Sequence, residues 1–424
     1  MHKPSQESMQ NTQSTAVQEL DVAIVGAGPA GASAAIGLRQ SALRVGVFDK
    51  AKFPRDKICG DALSIKVMEA MKLLSQELPK KFESFPEKLC TTAVKIVSPS
   101  HDCLELIFKP KKHFSGSTIG YVSRRIDFDN FLVEQFCGAP NISFYENTPV
   151  EAVEQHREYV ELHAGKRIFR AKMVVAADGA HSLIAKRLAN FKVDEHHYSA
   201  AVRAYIRGIA DPRPENYVEF YLLKELRPGY LWIFPLPNGL ANVGLGVLSA
   251  VLHKKRINLR EKLIEILSSH PQLAARFRNA TIIDEVKGFG LPLGSKRMDI
   301  SGERFLLTGD AASLIDPLTG EGIGEAMLSG AFAAEHIRKC FDAQNFSAAF
   351  NKQYDKAVYN RLSPSFRLHY VLQKIAATPF LVNLLVRKVG RSEFLKDTVA
   401  SMVENFELRK KLSQPSFYLR LLFE

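Results

Sequence analysis

No stretch of about 18 consecutive apolar residues occurs in the 424-residue chain, so no segment is expected to cross a bilayer as a helix. The first 19 residues lack both a basic start and an apolar run. They read as a disordered tail, not a secretory signal. Cysteine is scarce. The five thiols (Cys59, Cys90, Cys103, Cys137 and Cys340) are odd in number, scattered and without a CxxC. That pattern argues against a disulfide framework and for free thiols in a reducing, cytoplasmic setting; no metal site is expected. Basic residues do not interleave with aromatics as a nucleic-acid groove requires, and no nucleic-acid recognition motif is present. Internal repeats and long low-complexity runs are also missing.

What is present is ordinary in bulk and informative in detail. Hydrophobic residues make up 46% and charged residues 24%, as in soluble globular proteins, and the length suits two or three domains or one two-lobed enzyme. The formal charge is +12, and residues 351 to 424 carry thirteen Lys and Arg against six Asp and Glu. Such an excess suits an anionic surface or ligand, or reflects a basic proteome.

The N-terminal run "DVAIVGAGPAGASAAIGLRQ" is an apolar strand, the glycines Gly26, Gly28 and Gly31 in GxGxxG spacing, and a small-residue helix. Gly26 makes the tight turn, Gly28 lets the backbone approach a pyrophosphate, and Gly31 lets the helix pack on the strand. The helix N-terminus then offers free N–H groups to phosphate. A second strand, "RVGVF", ends at Asp49, placed to bind an adenosine ribose. This fingerprint does not separate NAD from FAD. A second one is missing: "GFGLPLG" and "GEGIG" have the wrong spacing, so a nicotinamide would bind only transiently.

Two further strand-to-loop junctions follow, "MVVAADGAHS" with Asp178 and "RFLLTGDAASLIDPLTGEGIGEAM" with Asp310. With the fingerprint they resemble the three motifs of the FAD-dependent hydroxylase and reductase superfamily, the p-hydroxybenzoate hydroxylase-like fold. "FPRDKICGDALS" is similar to the cysteine loop of its geranylgeranyl reductase family, and "GYLWIFPLPNGLANVGLGV" to that family's YxWxFP motif and the Gly-rich strand after it. Together these motifs span roughly residues 20 to 345. Asp49 stands where the superfamily more often has Glu, a shorter acid that still reaches the ribose.

The resemblance implies a mixed α/β (α+β) architecture. A Rossmann-like FAD-binding domain (approximately 20–90, 120–190 and 285–345) interleaves with an antiparallel-sheet substrate lobe (approximately 91–119 and 191–284), and a helical C-terminal region covers 346–424. Helices are predicted over 258–278 and 322–341, with Asp127 capping the helix that starts in "RRIDFDNF". Pro364, Pro379 and Pro415 are expected to break the helical tail.

For the site, the resemblance implies FAD contacts at Gly26, Gly28, Ala30, Gly31, Asp49, Arg125, Val150, Asp178 and Asp310. Gly320, Gly322 and Ile323 would run along the flavin ring, with Cys59 and Gly60 also against it. Arg125 suits phosphate or ribose, unless it forms a surface pair with Asp127 or Asp129. Cys59 is either inert packing or a proton donor. Tyr230, Trp232 and Phe234 alternate, so they share one face, as core or as the wall of a pocket for a long apolar ligand; Gly244 and Gly246 leave room beside it. The activity implied is reduction of C=C bonds in an isoprenoid chain, with NAD(P)H or ferredoxin as the outside reductant. The alternatives are a flavin monooxygenase or halogenase, and a flavin-free binding protein on the same scaffold. A halogenase needs a pocket lysine, and Lys66 and Lys72 read as solvated helix positions. The implied partner is a hydrophobic small molecule or lipid, and the chain is expected as a monomer or weak dimer. The basic amphipathic stretches "TPFLVNLLVRKVG" and "RKKLSQPSFYLRLLF" either pack on the core or lie on an anionic leaflet at the inner membrane face.

Overall fold

The structure, a computed structural model, describes residues 17–108, 119–210 and 216–404. Pro415 and the last basic stretch lie outside those residues. Strand Val17–Val25 lies inside the first sheet, and its continuous "AIV" core fits a strand covered on both faces. It pairs in parallel with Arg167–Ala176 on one side and Val45–Phe48 on the other. Ile142–Tyr145 extends the parallel sheet at one end, and Phe305–Leu307 extends it at the other. The strand already begins at Val17, opposite Ile168, so residues 17 to 19 belong to the sheet and not to a tail.

Helix Pro29–Leu38 covers this sheet and packs on helix Ile323–Asp342. The contact is close because it is built from small residues. A Cβ on Gly330 would lie 2.1 Å from the Ala30 carbonyl oxygen, and one on Gly37 would lie 2.5 Å from the Ala334 methyl.

The second sheet draws its strands from both sides of the first sheet's segments. Its order is Thr281–Ile282, Tyr198–Arg207, Leu240–Leu248, Gly229–Leu236, Tyr217–Tyr221, Ala93–Val97 and Cys103–Ile107. Lys287–Pro292 also pairs with Tyr198–Arg207, so the sheet continues past residue 285. All pairings are antiparallel except Tyr217–Tyr221 with Ala93–Val97. Alternation sorts its two faces. Leu231 and Ile233 pack with Leu263 and Ile266 of helix Leu259–Ser269, while Trp232 and Phe234 face the other way.

Two local expectations change. Arg124, not Asp127, occupies the cap position of helix Arg125–Glu134; Asp127 sits in the first turn and accepts from Arg124 Nε at 2.9 Å. Helix Ala348–Ala376 runs straight through Pro364, because Tyr354, Val358, Leu362 and Phe366 bury its face in the core. Pro379 does break the tail: helix Ala348–Ala376 ends just before it, and it opens a new helix, Pro379–Arg391, at a position where a missing N–H costs nothing. That helix packs Val382, Val386 and Val389 on Leu104, Leu106 and Phe108.

In an open helix, Gly→Ala gains about 1 kcal/mol. At Gly330 the methyl meets backbone at 2.1 Å, and such overpacking costs about 1–3 kcal/mol. Gly330→Ala is therefore expected to lower stability in urea unfolding; a stabilised variant would show that the two helices separate freely.

Candidate active site

One cavity of about 1380 Å³ is lined from both sheets. It exceeds the roughly 300–1,000 Å³ of ordinary ligand sites. Of the residues the sequence pointed to, Gly26, Gly28, Ala30, Asp49, Cys59, Gly60, Arg125, Val150, Asp178, Asp310, Gly320, Gly322, Ile323, Tyr230, Trp232 and Phe234 all line it. Gly31 and Gly244 are not among its lining residues. Gly31 serves packing, since its Cβ would lie 1.8 Å from Gly26 O. Gly244 lies under the Trp232 indole, 2.3 Å from where its Cβ would be, so its bareness accommodates Trp232 itself and not a ligand.

At one end, the Gly26 turn has φ +99° and faces Ala177. A Cβ on Gly28 would point into open cavity, with only the guanidinium groups of Arg55 and Arg125 within 4 Å. No side chain caps the helix that starts there. Asp49 is held at the rim by the amides of Ala27 and Ala51, both at 2.9 Å, which leaves lone pairs free for hydroxyl donors. Asp178 accepts from Leu183 N at 2.8 Å, while its other oxygen is buried without a partner.

Arg125 is no surface ion pair. It grips Asp129 through Nε at 2.6 Å and Nη2 at 2.7 Å, and Arg55 adds a third contact at 2.6 Å. Burial alone would raise the Asp129 carboxyl. The two guanidinium groups outweigh it and hold the carboxyl below its usual range. The motif gave Arg125, with Asp129 as one of its possible partners; Arg55 emerges only from the fold.

The Cys59–Gly60 loop forms the middle wall, backed by a buried network that the motifs did not reveal. Asp61, fully buried with φ +66°, accepts from Tyr205 Oη and Asn242 Nδ2, each at 2.8 Å. Asn242 also donates to Cys59 O at 2.7 Å and accepts from Trp232 Nε1 at 2.9 Å. Arg203 lies over the Tyr205 ring and is paired with Asp56 and Asp284. Burial pushes Asp61 up to about 7, against the pull of its hydrogen bonds. Burial also raises the Cys59 thiol, keeping it protonated, and lowers Lys57 to about 8 despite nearby Asp310.

Lys66 is not solvated. It is 7% exposed and bonded to Glu325, with Glu321 at 3.7 Å and Asp316 at 3.9 Å. Lys72 is exposed as expected. Asp316 in turn accepts from His369 Nδ1 and from the amides of Leu318 and Thr319. The far arm of the cavity is apolar, with Val94, Val218, Phe220, Tyr230, Trp232 and Phe234 on the sheet side and Leu368 and Ala376 on the helix side. Tyr230 Oη donates to Thr319 O, tying this wall to the glycine loop.

The FAD binding domain family model matches residues 19–334. Digeranylgeranylglycerophospholipid reductase of Thermoplasma acidophilum is 28% identical over 371 residues, covering 84% of this chain and 88% of that protein. Menaquinone reductase of Mycolicibacterium smegmatis is 30% identical over 329 residues, covering 74% and 75%. A solved geranylgeranyl bacteriochlorophyll reductase-like protein of Thermoplasma acidophilum shares the fold at TM-score 0.76 and 24% identity, covering 94% and 99%. Halogenase PltM does so at TM-score 0.71 and 16% identity, covering 93% and 85%. This fold and cavity are those of an FAD-dependent oxidoreductase. Within that class the chain belongs to the geranylgeranyl reductase family.

The residues fit FAD. The bare Gly28 facing two guanidinium groups suits a pyrophosphate, and the uncapped helix adds its positive end. The unpartnered Asp178 oxygen suits a hydroxyl donor.

Asp61 binds its proton more tightly folded than unfolded, so its contribution to stability is full below pH about 4 and is lost as pH rises through about 7. Asp61→Asn is expected to flatten the stability–pH curve across that window. A curve as steep as that of the parent protein would remove Asp61 as its cause.

Proposed function

We propose that the protein reduces C=C bonds in the isoprenoid chain of a lipid or prenylated quinone. The observation that carries this reading is the apolar, aromatic-walled arm, continuous with the Cys59–Gly60 wall and the Gly320–Ile323 loop. It offers a long substrate contact area and few fixed polar groups.

In this reading Gly26, Gly28, Ala30 and the helix behind them take the pyrophosphate, with Arg55 and Arg125 neutralising its charge. Asp49 and Val150 bound the adenosine, and Asp178 and Asp310 accept from hydroxyls. Gly320, Gly322 and Ile323 bring the start of helix Ile323–Asp342 to the ring, where its positive end favours the reduced, anionic form. FAD, once reduced, supplies hydride. Electrons reach it from NAD(P)H or a ferredoxin. Tyr230, Trp232 and Phe234 hold the chain, and Cys59 packs beside the reacting bond. Lys66 is committed to its carboxylates, which weighs against its use as a halogenase lysine.

Delivery of such a substrate fits contact with a membrane surface. Phe380 and Phe394 are each 71% exposed, with Leu381, Leu385, Arg387, Lys388 and Arg391 on the same helical region. No helix among the described residues is long and apolar enough to cross a membrane.

Holoprotein reduced without oxygen and mixed with menaquinone or a geranylgeranyl ether lipid is expected to yield product heavier by two hydrogens per bond. Gain of an oxygen or halogen atom only when oxygen is present would overturn the reading. Gly28→Val is expected to fold yet lose FAD about 100-fold or more in affinity, because its side chain would occupy the pyrophosphate space; flavin absorbance after dialysis reports this.

A further inference from the structure

Saturating a C=C bond requires a proton as well as a hydride, and one cluster along the cavity is built to hold and hand over protons. His369 lines the cavity from helix Ala348–Ala376, and its Nδ1 is bonded to the fully buried Asp316. Asp316 is rigid, since the amides of Leu318 and Thr319 each donate to its second oxygen at 3.0 Å. Gln373, one turn on from His369, donates to Pro317 O. These bonds lock the imidazole against the same glycine loop that Tyr230 grips. A carboxylate on Nδ1 fixes the ring's orientation and stabilises the imidazolium, leaving Nε2 as the donor.

Behind this pair lies a second charged cluster, which holds Asp316 from its far side. Glu325, Glu321 and Asp316 surround the single ammonium of Lys66. Three carboxylates against one lysine leave an excess of negative charge, which rules out a phosphate subsite and favours retention of a proton. Burial pushes Glu325 up to about 8, and its outer oxygen is buried without a partner. Besides these groups, Tyr230 on the sheet and Cys59 on its loop are titratable neighbours of this wall.

Resting on the reductase reading, we propose that His369, oriented by Asp316, is the catalytic acid that protonates the substrate alkene. The π bond opens as one carbon takes hydride from reduced FAD and the other takes the Nε2 proton. Two C–H bonds form, the flavin is oxidised and the alkene reduced. The neutral imidazole regains its Nε2 proton from solvent, to which the His369 side chain is 21% exposed. Cys59 then serves packing.

The test uses holoprotein reduced with dithionite, so that the natural electron donor plays no part, and follows flavin reoxidation by menaquinone in micelles. His369→Gln is expected to keep FAD and fold but to react about 100-fold or more slowly, with Asp316→Asn intermediate. Added imidazole is expected to restore part of the rate to His369→Ala, which a purely structural role would not allow. A His369→Gln rate within about threefold of the parent would overturn the proposal. If the parent protein reduces neither menaquinone nor a geranylgeranyl ether lipid, the substrate class fails separately, and the acid is judged without turnover. In ¹⁵N-histidine-labelled holoprotein, the His369 signal, identified by its loss in His369→Gln, is expected to shift on adding geranylgeraniol and on Asp316→Asn. A signal indifferent to both would overturn it.

Discussion

The grip of Asp129 on two arginines is the interaction on which the site's geometry rests. One fully buried carboxylate accepts from both Arg55 and Arg125, so the cysteine loop's approach and the start of helix Arg125–Glu134 are pinned to one point. An isolated buried carboxylate would cost several kcal/mol, and so would either arginine left alone. Paired, they place two guanidinium groups opposite Gly28, where a glycine leaves the space empty. Positive charge, bare backbone and an uncapped helix thus converge on one volume, although Gly28 with its helix, Arg55 and Arg125 lie far apart in the chain.

The interleaving has the same logic. The glycine-turn end of the cavity is carried by the parallel sheet and the apolar arm by the antiparallel one. The links between them are specific bonds: Asn242 to Cys59 and Asp61, Tyr230 to Thr319, Arg203 to Asp56. A substrate bound against Trp232 therefore touches, through Asn242, the loop that walls the cofactor space.

Motifs with strict backbone demands were legible in advance. The GxGxxG turn, the strand-ending Asp49 and the glycine loop after Asp310 each need particular residues at particular spacings, and all three come to the same cavity. Period-two alternation similarly put Tyr230, Trp232 and Phe234 on one face. Buried charge was not legible. Lys66 looks like any helix lysine until helix Ile323–Asp342 brings Glu325 to it across 259 residues, and His369 means nothing without Asp316. Such pairs depend on tertiary approach alone and leave no local pattern. Asp127 and Pro364 misled for the related reason that local preference was outweighed by packing and by the chain's entry angle.

Gly244 has a further consequence. The Trp232 indole rests where a side chain at 244 would be, so the bore of the apolar arm is set by an atom that is not there. A single added methyl at that position would meet the indole and the Val202 carbonyl oxygen alike at 2.3 Å, so neither the indole nor the pairing with strand Tyr198–Arg207 would keep its place. The calibre of this arm is thus written in the strand beside its wall, at a position that does not itself line the cavity.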